Sequence, residues 1–253
     1  MNDIIITPLG TISPYTKGDM NCPGFLLENN DIKLLLDCGN GITRLLHFPE
    51  DLYNLHVIIS HYHKDHLGDL GAIQYASRVY NKLKYLDKKV KVYLPKTDYA
   101  ATKEAILLNS DSYCEYIDIN DNDTFNIGNL KITIKDNHSH SIESFMIKIE
   151  NDDYKIVYTS DIGNTNFDEL IDFCKNSDLL ICESSFIEEH HANSKTHLTA
   201  HEGAMLAKLS NSKKLVLTHF WPEESKDNYL HEAKQVFDDT IVAEEGKKLI
   251  LKK

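Results

Sequence analysis

Residues 61–66 read HYHKDH, so three imidazoles and one carboxylate lie within six positions of the chain. The stretch directly follows residues 55–60, whose apolar residues Leu55, Val57, Ile58 and Ile59 predict a buried strand. Imidazole nitrogens and carboxylate oxygens are ligands that zinc and similar divalent ions prefer in proteins. A buried strand that ends in such a cluster therefore predicts a metal site formed by His61, His63, Asp65 and His66.

Other polar side chains share this kind of position, because each follows an apolar run that predicts a strand. Ligands at the ends of several strands can converge on one rim of a sheet, where binding and catalytic loops are commonly found. We therefore consider them candidates for the same site. These residues are His138, His140, Asp161, Glu183 and His219.

Short apolar runs bounded by turn residues predict strands, and longer stretches with helical periodicity predict helices. The predicted strands cover residues 4–6, 25–27, 32–36, 55–60, 90–94, 113–119, 123–127, 130–134, 144–149, 155–159, 179–182, 215–217 and 249–251. The predicted helices cover residues 41–48, 69–86, 99–110, 166–175, 199–209 and 231–238. Hairpins come first and helices are interspersed later, which predicts two sheets with helices outside, in a single domain over residues 1–253.

The composition is that of a globular protein, with 42% apolar and 26% charged residues, enough to build a buried core. No apolar run reaches the roughly 18 residues that a membrane span needs. The N-terminus lacks the basic and apolar regions of a secretion signal, so we expect a cytoplasmic protein. Scattered cysteines in odd number favour buried free thiols over disulfides, and they are Cys22, Cys38, Cys114, Cys174 and Cys182.

The chain carries 27 Lys and Arg against 39 Asp and Glu, which is a net charge of −12. A general nucleic-acid binder usually presents a basic face, whereas here the lysines form only short pairs such as Lys88-Lys89 and Lys247-Lys248. We therefore expect no extended contact with nucleic acid. A metal site would still attract a small anionic substrate, because bound cations dominate the field around them.

The stretch at residues 61–66 reads as HxHxDH, the signature of the metallo-β-lactamase superfamily, and later residues resemble that family in the same order. The matching segments are His140 ahead of Ser144-Phe145, Ser160-Asp161-Ile162-Gly163 and Thr218-His219-Phe220. The resemblance extends from the loop at Asp37 to His219 and covers nearly the whole chain. It implies a four-layer αββα sandwich, with two mixed β-sheets packed face to face and helices outside.

The resemblance also implies two divalent metal ions per chain. Zinc is favoured by availability, and Mn, Fe, Co or Ni would suit the same nitrogen and oxygen ligands. A hydroxide that bridges the two ions is the implied nucleophile, which Asp65 would also orient or deprotonate. The implied ligands are His61, His63 and His140 for the first ion, Asp65, His66 and His219 for the second, and Asp161 between both.

Within the superfamily the chain most resembles the ribonuclease Z-like branch. The acidic segment of that branch is similar to Glu183-Ser184-Ser185-Phe186, and its histidine motif is similar to His197-Leu198-Thr199-Ala200. In that branch the His stabilises or protonates the leaving group and the Glu orients it, which are the roles implied for His197 and Glu183. A His held by a carboxylate suits a general acid near neutral pH.

One departure from that branch concerns the protruding basic arm of its tRNA-processing enzymes. In bacterial forms the arm lies between the positions that correspond to His140 and Asp161. Here these residues are 161 − 140 = 21 positions apart, which leaves room for two strands and a tight turn. Together with the net charge, this departure disfavours tRNA processing and favours a phosphodiesterase that acts on a small or cyclic phosphodiester.

Several alternatives use the same fold. The same metals could hydrolyse a carbon ester, lactone or thioester, or could process RNA without an arm. A non-catalytic metal-binding protein would typically lack one of the ligands, and diiron members of the superfamily usually have Glu at the position of His63. Related enzymes of this branch are often dimers, so we expect a homodimer.

A purely structural role is the alternative for some candidate residues. His138 lies two positions before His140 and would share its strand face by alternation, although the spacing to the next strand favours His140. His197 could simply precede a helix that Thr199 and Glu202 begin with a capping box.

The remaining polar residues have less specific predictions. Asp37 follows a predicted strand and is expected to hydrogen-bond a ligand His, whereas Glu183 could be a carboxylate satisfied at its own strand end. Trp221, beside His219, suits either a pocket wall or the core. The other histidines in this part of the chain are expected to be solvated, and they are His190, His191 and His201.

Overall fold

Fourteen strands form two sheets in the computed structural model, which describes residues 3–96, 114–190 and 194–252. Most of them arise from short apolar runs between turn residues, as the sequence predicts. In chain order the strands are β1 (Ile4–Gly10), β2 (Gly24–Asn29), β3 (Ile32–Leu36), β4 (Leu55–Ile58), β5 (Lys91–Pro95), β6 (Glu115–Ile119), β7 (Thr124–Ile127), β8 (Leu130–Asp136), β9 (Phe145–Glu150), β10 (Lys155–Tyr158), β11 (Leu179–Glu183), β12 (Leu215–Thr218), β13 (Thr240–Val242) and β14 (Leu249–Leu251).

Each sheet combines a parallel part with antiparallel hairpins. The first sheet has the order β14-β1-β2-β3-β4-β5-β6, and the second has the order β13-β12-β11-β10-β9-β8-β7. Strands β3 to β6 run parallel to one another, and so do strands β10 to β13. The carboxyl ends of the parallel strands in each sheet therefore meet at one edge, where the candidate ligands follow them.

Five α-helices and three short 3₁₀ segments lie among the described residues. The helices are α1 (Lys64–Leu67), α2 (Leu70–Lys82), α3 (Phe167–Cys174), α4 (Ala200–Leu209) and α5 (Lys226–Lys234). Helix α4 begins with the predicted capping box, in which Thr199 accepts from the Glu202 amide and donates its own amide to the Glu202 carboxylate. None of the described helices is long and apolar enough to cross a membrane.

Alternation along the strands divides the apolar side chains among three layers of core. In β3, Leu34 and Leu36 face the second sheet, whereas Leu35 packs on the outer side with α2. In β10, Tyr158 faces the first sheet, whereas Val157 packs with α3, α4 and α5. The layers therefore follow the order helix, sheet, sheet, helix, and the predicted four-layer αββα sandwich is confirmed.

Two predicted helices differ in the structure. The predicted helix at residues 41–48 is only the 3₁₀ turn Ile42–Leu45, because the backbone becomes extended at Leu46. The predicted helix at residues 231–238 is α5, which begins five residues earlier. It begins there because the Ser225 hydroxyl accepts from a backbone amide of the first turn and caps the helix.

Smaller differences concern the strands. The predicted strand at residues 55–60 ends at Ile58, where the chain leaves the sheet toward the candidate ligands. Strand β13 was not predicted. The predicted helix at residues 99–110 lies outside the described residues. All five cysteines are buried and unpaired, as predicted.

Candidate metal centre

The first sheet delivers its candidate ligands from one short segment after β4. His61 is buried at the strand end, His63 is the N-cap of α1, and Asp65 and His66 lie within that one-turn helix. The tight turn brings their side chains together, since His61 Nε2 lies 2.9 Å from His63 Nδ1. The ring centroids of His61 and His66 are 4.1 Å apart.

The second sheet adds Asp161, His219 and His140 from separate strand ends. Asp161 Oδ1 lies 3.0 Å from His66 Nε2 and 2.9 Å from His219 Nε2. Asp161 Oδ2 lies 3.6 Å from His61 Nε2 and 3.9 Å from His140 Nε2. The carboxylate therefore stands between two groups of histidines, one group on each oxygen. His61 and His140 belong to one of the two ligand sets implied by the family resemblance, and His66 and His219 belong to the other. The ligand roles themselves stay predictions.

The donor atoms fit divalent metal ions. Among the residues that the structure describes, none forms a hydrogen bond with the buried His140 Nε2, which suits a nitrogen that would bind a cation. Zinc–nitrogen bonds of about 2.0–2.1 Å in tetrahedral geometry place two ligand nitrogens roughly 3.3 Å apart, and His66 Nε2 lies 3.2 Å from His219 Nε2. The described ranges contain four groups of three residues whose donor atoms lie within 4.8 Å of one another inside each group. These groups are His61, His66 and Asp161; Asp65, His66 and His219; His140, Asp161 and His197; and Glu183, His197 and His219.

Burial and the central carboxylate set the charges in this cluster. Burial lowers the pKa of His61 and of His140, the latter to about 4, so both rings are neutral and suited to a metal. Burial also disfavours the charged form of His219, but Asp161 outweighs it and raises the pKa of His219 to about 10. Burial opposes ionisation of Asp161, yet His219 and His66 hold its pKa well below the usual range. Protons and metal ions therefore compete for the nitrogens around an anionic Asp161.

Asp37 orients one of the candidate ligands. It is fully buried, and its Oδ2 lies 2.7 Å from His66 Nδ1, which confirms the predicted contact with a ligand His. The same carboxylate accepts from the Ser60 amide and hydroxyl, and from the Tyr158 hydroxyl at 2.7 Å. Because Tyr158 lies on β10 and Asp37 follows β3, this bond joins the two sheets. Partners of this kind fix the ring orientation and tautomer of a metal-binding His.

Three serines contact the histidine rings, and none of them was a predicted site residue. Ser60 Oγ and Ser160 Oγ lie 3.0 Å and 3.4 Å from His61 Nδ1, and Ser185 Oγ lies 2.9 Å from His219 Nδ1. Ser60 and Ser160 each directly precede a candidate ligand in the sequence, and this adjacency is the signal that could have found them. Ser185 follows Glu183 by two positions, which is a weaker signal.

Ser13 contacts the other half of the cluster from a distant loop. Its hydroxyl donates to Asp65 Oδ2 at 2.7 Å. The loop is held in place because the Ser13 amide donates to the Phe220 carbonyl, and the Phe220 amide donates to the Thr11 carbonyl. No local signal marks Ser13, since 52 residues separate it from Asp65 and the contact exists only in the folded chain.

His197 and Glu183 form a pair beside the cluster. His197 Nδ1 lies 3.0 Å from Glu183 Oε1, and the same carboxylate accepts from the Ser185 amide. The His197 ring centroid lies 5.4 Å from that of His140 and 5.5 Å from that of His219. Burial disfavours charge on His197, but Glu183 outweighs it, so the pKa of His197 is raised above its ordinary value. His197 also lies just before the capping box of α4, as the structural alternative predicted. It therefore precedes this helix and lies beside the candidate ligands.

His140, and not His138, faces the cluster. The expected alternation of the two side chains along a strand is wrong here, because β8 ends at Asp136, before either residue. His138 has a φ of 55° in the following loop, is exposed, and pairs with Asp136 at 3.3 Å. His140 lies among the other rings, at the place that its spacing to the next strand favours, and its role as a ligand stays a prediction.

The other described histidines in this part of the chain lie outside the cluster of candidate ligands. His190 is exposed and lies 3.1 Å from a carboxylate oxygen of Glu224. Trp221 is half-buried and packs edge-on against the His190 ring, so it forms neither the core nor a ligand contact. His201 pairs with a glutamate near the surface. His191 lies outside the described residues.

The segment between His140 and Asp161 contains only β9, a tight turn and β10. In β9 and β10 the two strands pair directly, from Lys155 opposite Glu150 to Tyr158 opposite Ile147. No protruding arm exists at this point of the chain, as the spacing in the sequence predicts.

The chain is similar to known proteins in both sequence and structure. Probable metallo-hydrolase YhfI of Bacillus subtilis is 27% identical over 244 residues, which cover 95% of this chain and 97% of YhfI. The crystal structure of YhfI has a TM-score of 0.87, with 26% identity over 99% of this chain and 100% of that chain. Ribonuclease Z of Archaeoglobus fulgidus is 27% identical over 299 positions, which cover 95% of each protein.

The fold is shared more widely than the sequence. A diphosphatase from the PhnP family has a TM-score of 0.72 and 14% identity, over 98% of this chain and 97% of that chain. Residues 33–220, more than half of the chain, match the family described as the beta-lactamase superfamily domain, and they include every candidate ligand. The chain therefore belongs to the beta-lactamase superfamily, with a metallo-hydrolase and ribonuclease Z among its relatives.

Proposed function

We propose that this protein is a phosphodiesterase that uses two divalent metal ions to hydrolyse a small or cyclic phosphodiester. The observation that carries the proposal is the position of the Glu183–His197 pair beside two groups of donors that share Asp161. Phosphodiester hydrolysis needs cations near the phosphoryl oxygens and an acid near the leaving oxygen, and these residues would hold the cations and supply the acid.

The side chains that would hold the ions are those of the two donor groups. When bound, divalent ions at such a site lower the pKa of a water molecule and stabilise charge on phosphoryl oxygens. Asp65, whose Oδ2 lies 3.6 Å from His219 Nε2, would also accept a proton from that water. The proposed ligands are His61, His63 and His140 in the first group, Asp65, His66 and His219 in the second, and Asp161 between them.

His197 would supply the proton for the leaving group. Its Nδ1–H donates to Glu183 Oε1, so the protonated ring keeps Nε2–H as a second donor. The raised pKa of His197 keeps this protonated form populated toward neutral pH. Transfer of the Nε2 proton neutralises the leaving oxygen as its bond to phosphorus breaks, a contribution of about 10²–10⁴-fold in rate.

The surroundings of the site favour a small substrate. The net charge of −12 disfavours contact with an extended polyanion, and no arm follows His140. The names of two similar proteins support chemistry at phosphorus, since one is a ribonuclease and the other a diphosphatase. The difference between this chain and an RNA-processing enzyme therefore concerns the size of the substrate more than the reaction.

Turnover of bis(p-nitrophenyl) phosphate, measured together with metal content on the same sample, tests the proposal. We expect activity with about two ions per chain. His63→Ala should lose both the activity and the two-ion content. His138→Ala is the matched control, because His138 is exposed outside the donor groups, and it should keep wild-type activity. Two bound ions without turnover would contradict the proposal and would favour carbon esters, lactones or thioesters as substrates.

The size of the substrate needs a separate comparison. We expect the metal-loaded protein to hydrolyse cyclic nucleoside monophosphates and to bind single-stranded RNA weakly at low salt. Preferential cleavage of RNA, with binding that weakens steeply as salt is added, would identify a nuclease instead.

A further inference from the structure

A cavity of about 590 Å³ lies at the opposite edge of the first sheet from the candidate metal centre. Its lining residues begin the strands whose carboxyl ends carry the ligands, since Leu55 and His56 begin β4, Lys91 begins β5 and Glu115 begins β6. None of the candidate metal ligands lines this cavity. The cavity is therefore separate from the site to which we assign phosphodiester hydrolysis.

Lysines outnumber carboxylates by one in the lining of this cavity. Lys88, Lys89 and Lys91 line it together with two carboxylates, Asp87 and Glu115. Glu115 lies 3.6 Å from Lys91 Nζ. Lys88 and Lys89 are exposed at the rim. The same pair lines an adjoining cavity of about 400 Å³. A net positive cavity in a chain of net charge −12 concentrates anions locally.

Apart from Asn54 and His56, the rest of the lining is apolar or aromatic. Leu52, Leu55 and Leu86 are buried, whereas the Tyr53 side chain at the same cavity is 43% exposed. An aromatic ring that is accessible beside lysines offers a stacking surface for a planar base. The volume also lies within the range of about 300–1,000 Å³ that is typical of small-molecule sites.

We propose that this cavity binds a small ligand in which a phosphate group is joined to an aromatic base, that is, a nucleotide. The ammonium groups of Lys88 and Lys89 would bind the phosphate as point charges, which is how lysine commonly binds phosphate. Tyr53 and the buried leucines would contact the base. The site uses none of the candidate metal ligands, so it goes beyond the proposed hydrolysis and does not depend on it.

Calorimetric titration of the full-length protein with AMP tests the proposal. We expect one saturable site that Lys88→Gln/Lys89→Gln weakens by at least about tenfold, because each substitution removes a charge-assisted contact. Lys247→Gln/Lys248→Gln is the matched control, since it changes the net charge equally at another exposed lysine pair. The control variant should bind AMP as the wild type does. Adenosine alone and inorganic phosphate alone should each bind more weakly than AMP.

A second measurement locates the bound AMP. Reductive methylation followed by peptide mass analysis should show Lys88 and Lys89 protected by AMP, with Lys247 and Lys248 modified at an unchanged rate. AMP that binds only at the metal ligands would leave the modification of Lys88 and Lys89 unchanged. That outcome, an equal affinity in the Lys88→Gln/Lys89→Gln variant, or no saturable binding by the wild type would overturn the proposal.

Discussion

The two halves of the candidate metal centre are built by different routes. The local half comes from a single segment after β4 and consists of His61, His63, Asp65 and His66. The assembled half comes from three strand ends of the second sheet and consists of His140, Asp161 and His219. The local half needs only a strand and one helical turn, whereas the assembled half exists only when the two sheets pack face to face.

Asp161 is the residue at which the two halves meet. Its Oδ1 faces His66 of the local half and His219 of the assembled half. Its Oδ2 faces His61 of the local half and His140 of the assembled half. The binding of metal ions would therefore link the packing of the two sheets to the formation of the site. Substitutions in the two halves should then differ in their effects on metal binding and on chemistry.

Asp161→Asn breaks the connection between the halves and has the largest expected effect. Without metal, the buried His66 and His219 lose the carboxylate that raises their pKa, which costs about 3–5 kcal/mol when a buried pair loses one partner. With metal, the two-ion content and the phosphodiesterase activity should both be lost. Urea unfolding of the metal-free protein and elemental analysis measure these effects, with the exposed Asp168→Asn as control. Wild-type metal content in Asp161→Asn would contradict this assignment.

His197→Ala separates chemistry from metal binding. We expect kcat to fall by about 10²–10⁴-fold while the metal content stays at the wild-type value, because the proposed ligands are intact. The loss should be larger for an alkyl phosphodiester than for a p-nitrophenyl ester, whose leaving group needs less protonation. His201→Ala, on the exposed side of α4, should have no such effect. An equal loss for both substrates would argue against His197 as the acid.

Glu183→Gln sharpens the comparison through its pH dependence. Glu183 raises the pKa of His197, so the substitution should lower that pKa and reduce kcat by roughly 10–100-fold, as for groups that orient a functional His. Activity that needs protonated His197 is lost as pH rises through its pKa, so the falling limb of the pH profile should move to lower pH. An unmoved limb would contradict the role of the pair.

The same pair should also affect stability in a pH-dependent way. Because the pKa of His197 is higher in the folded state than its ordinary value of 6.5, the stabilisation is complete below that pH. It is then lost as pH rises through the folded pKa. The difference in Tm between wild type and Glu183→Gln should therefore be largest in acid and should narrow toward alkaline pH.

The sequence alone predicts the local half better than the assembled half. The local half is contiguous, so its spacing alone indicates a metal site. His140 and Asp161 were predicted only because each follows a strand in an order that resembles a known family. The prediction that His138 and His140 share one strand face was wrong, since β8 ends at Asp136, before either residue.

Contacts that arise only from tertiary packing were the least predictable. The Tyr158 hydroxyl reaches Asp37 across the two sheets, and Ser13 reaches Asp65 from the loop between β1 and β2. Neither has a periodic or local pattern in the sequence. The helices and strands themselves were largely predicted, because their burial repeats with the period of each element.

Ser13→Ala has the smallest expected effect and tests whether the local half is as independent as its sequence indicates. The Ser13 hydroxyl is the donor that holds Asp65 Oδ2, and its loop pairs with Phe220, which follows His219 in the assembled half. Loss of this donor should weaken metal affinity by no more than about tenfold, the lower end for partners of a ligand. Ser13→Thr keeps the hydroxyl and should restore wild-type affinity in a chelator competition assay. If Ser13→Ala binds metal as tightly as the wild type, α1 alone orients Asp65, and the local half is complete without the loop.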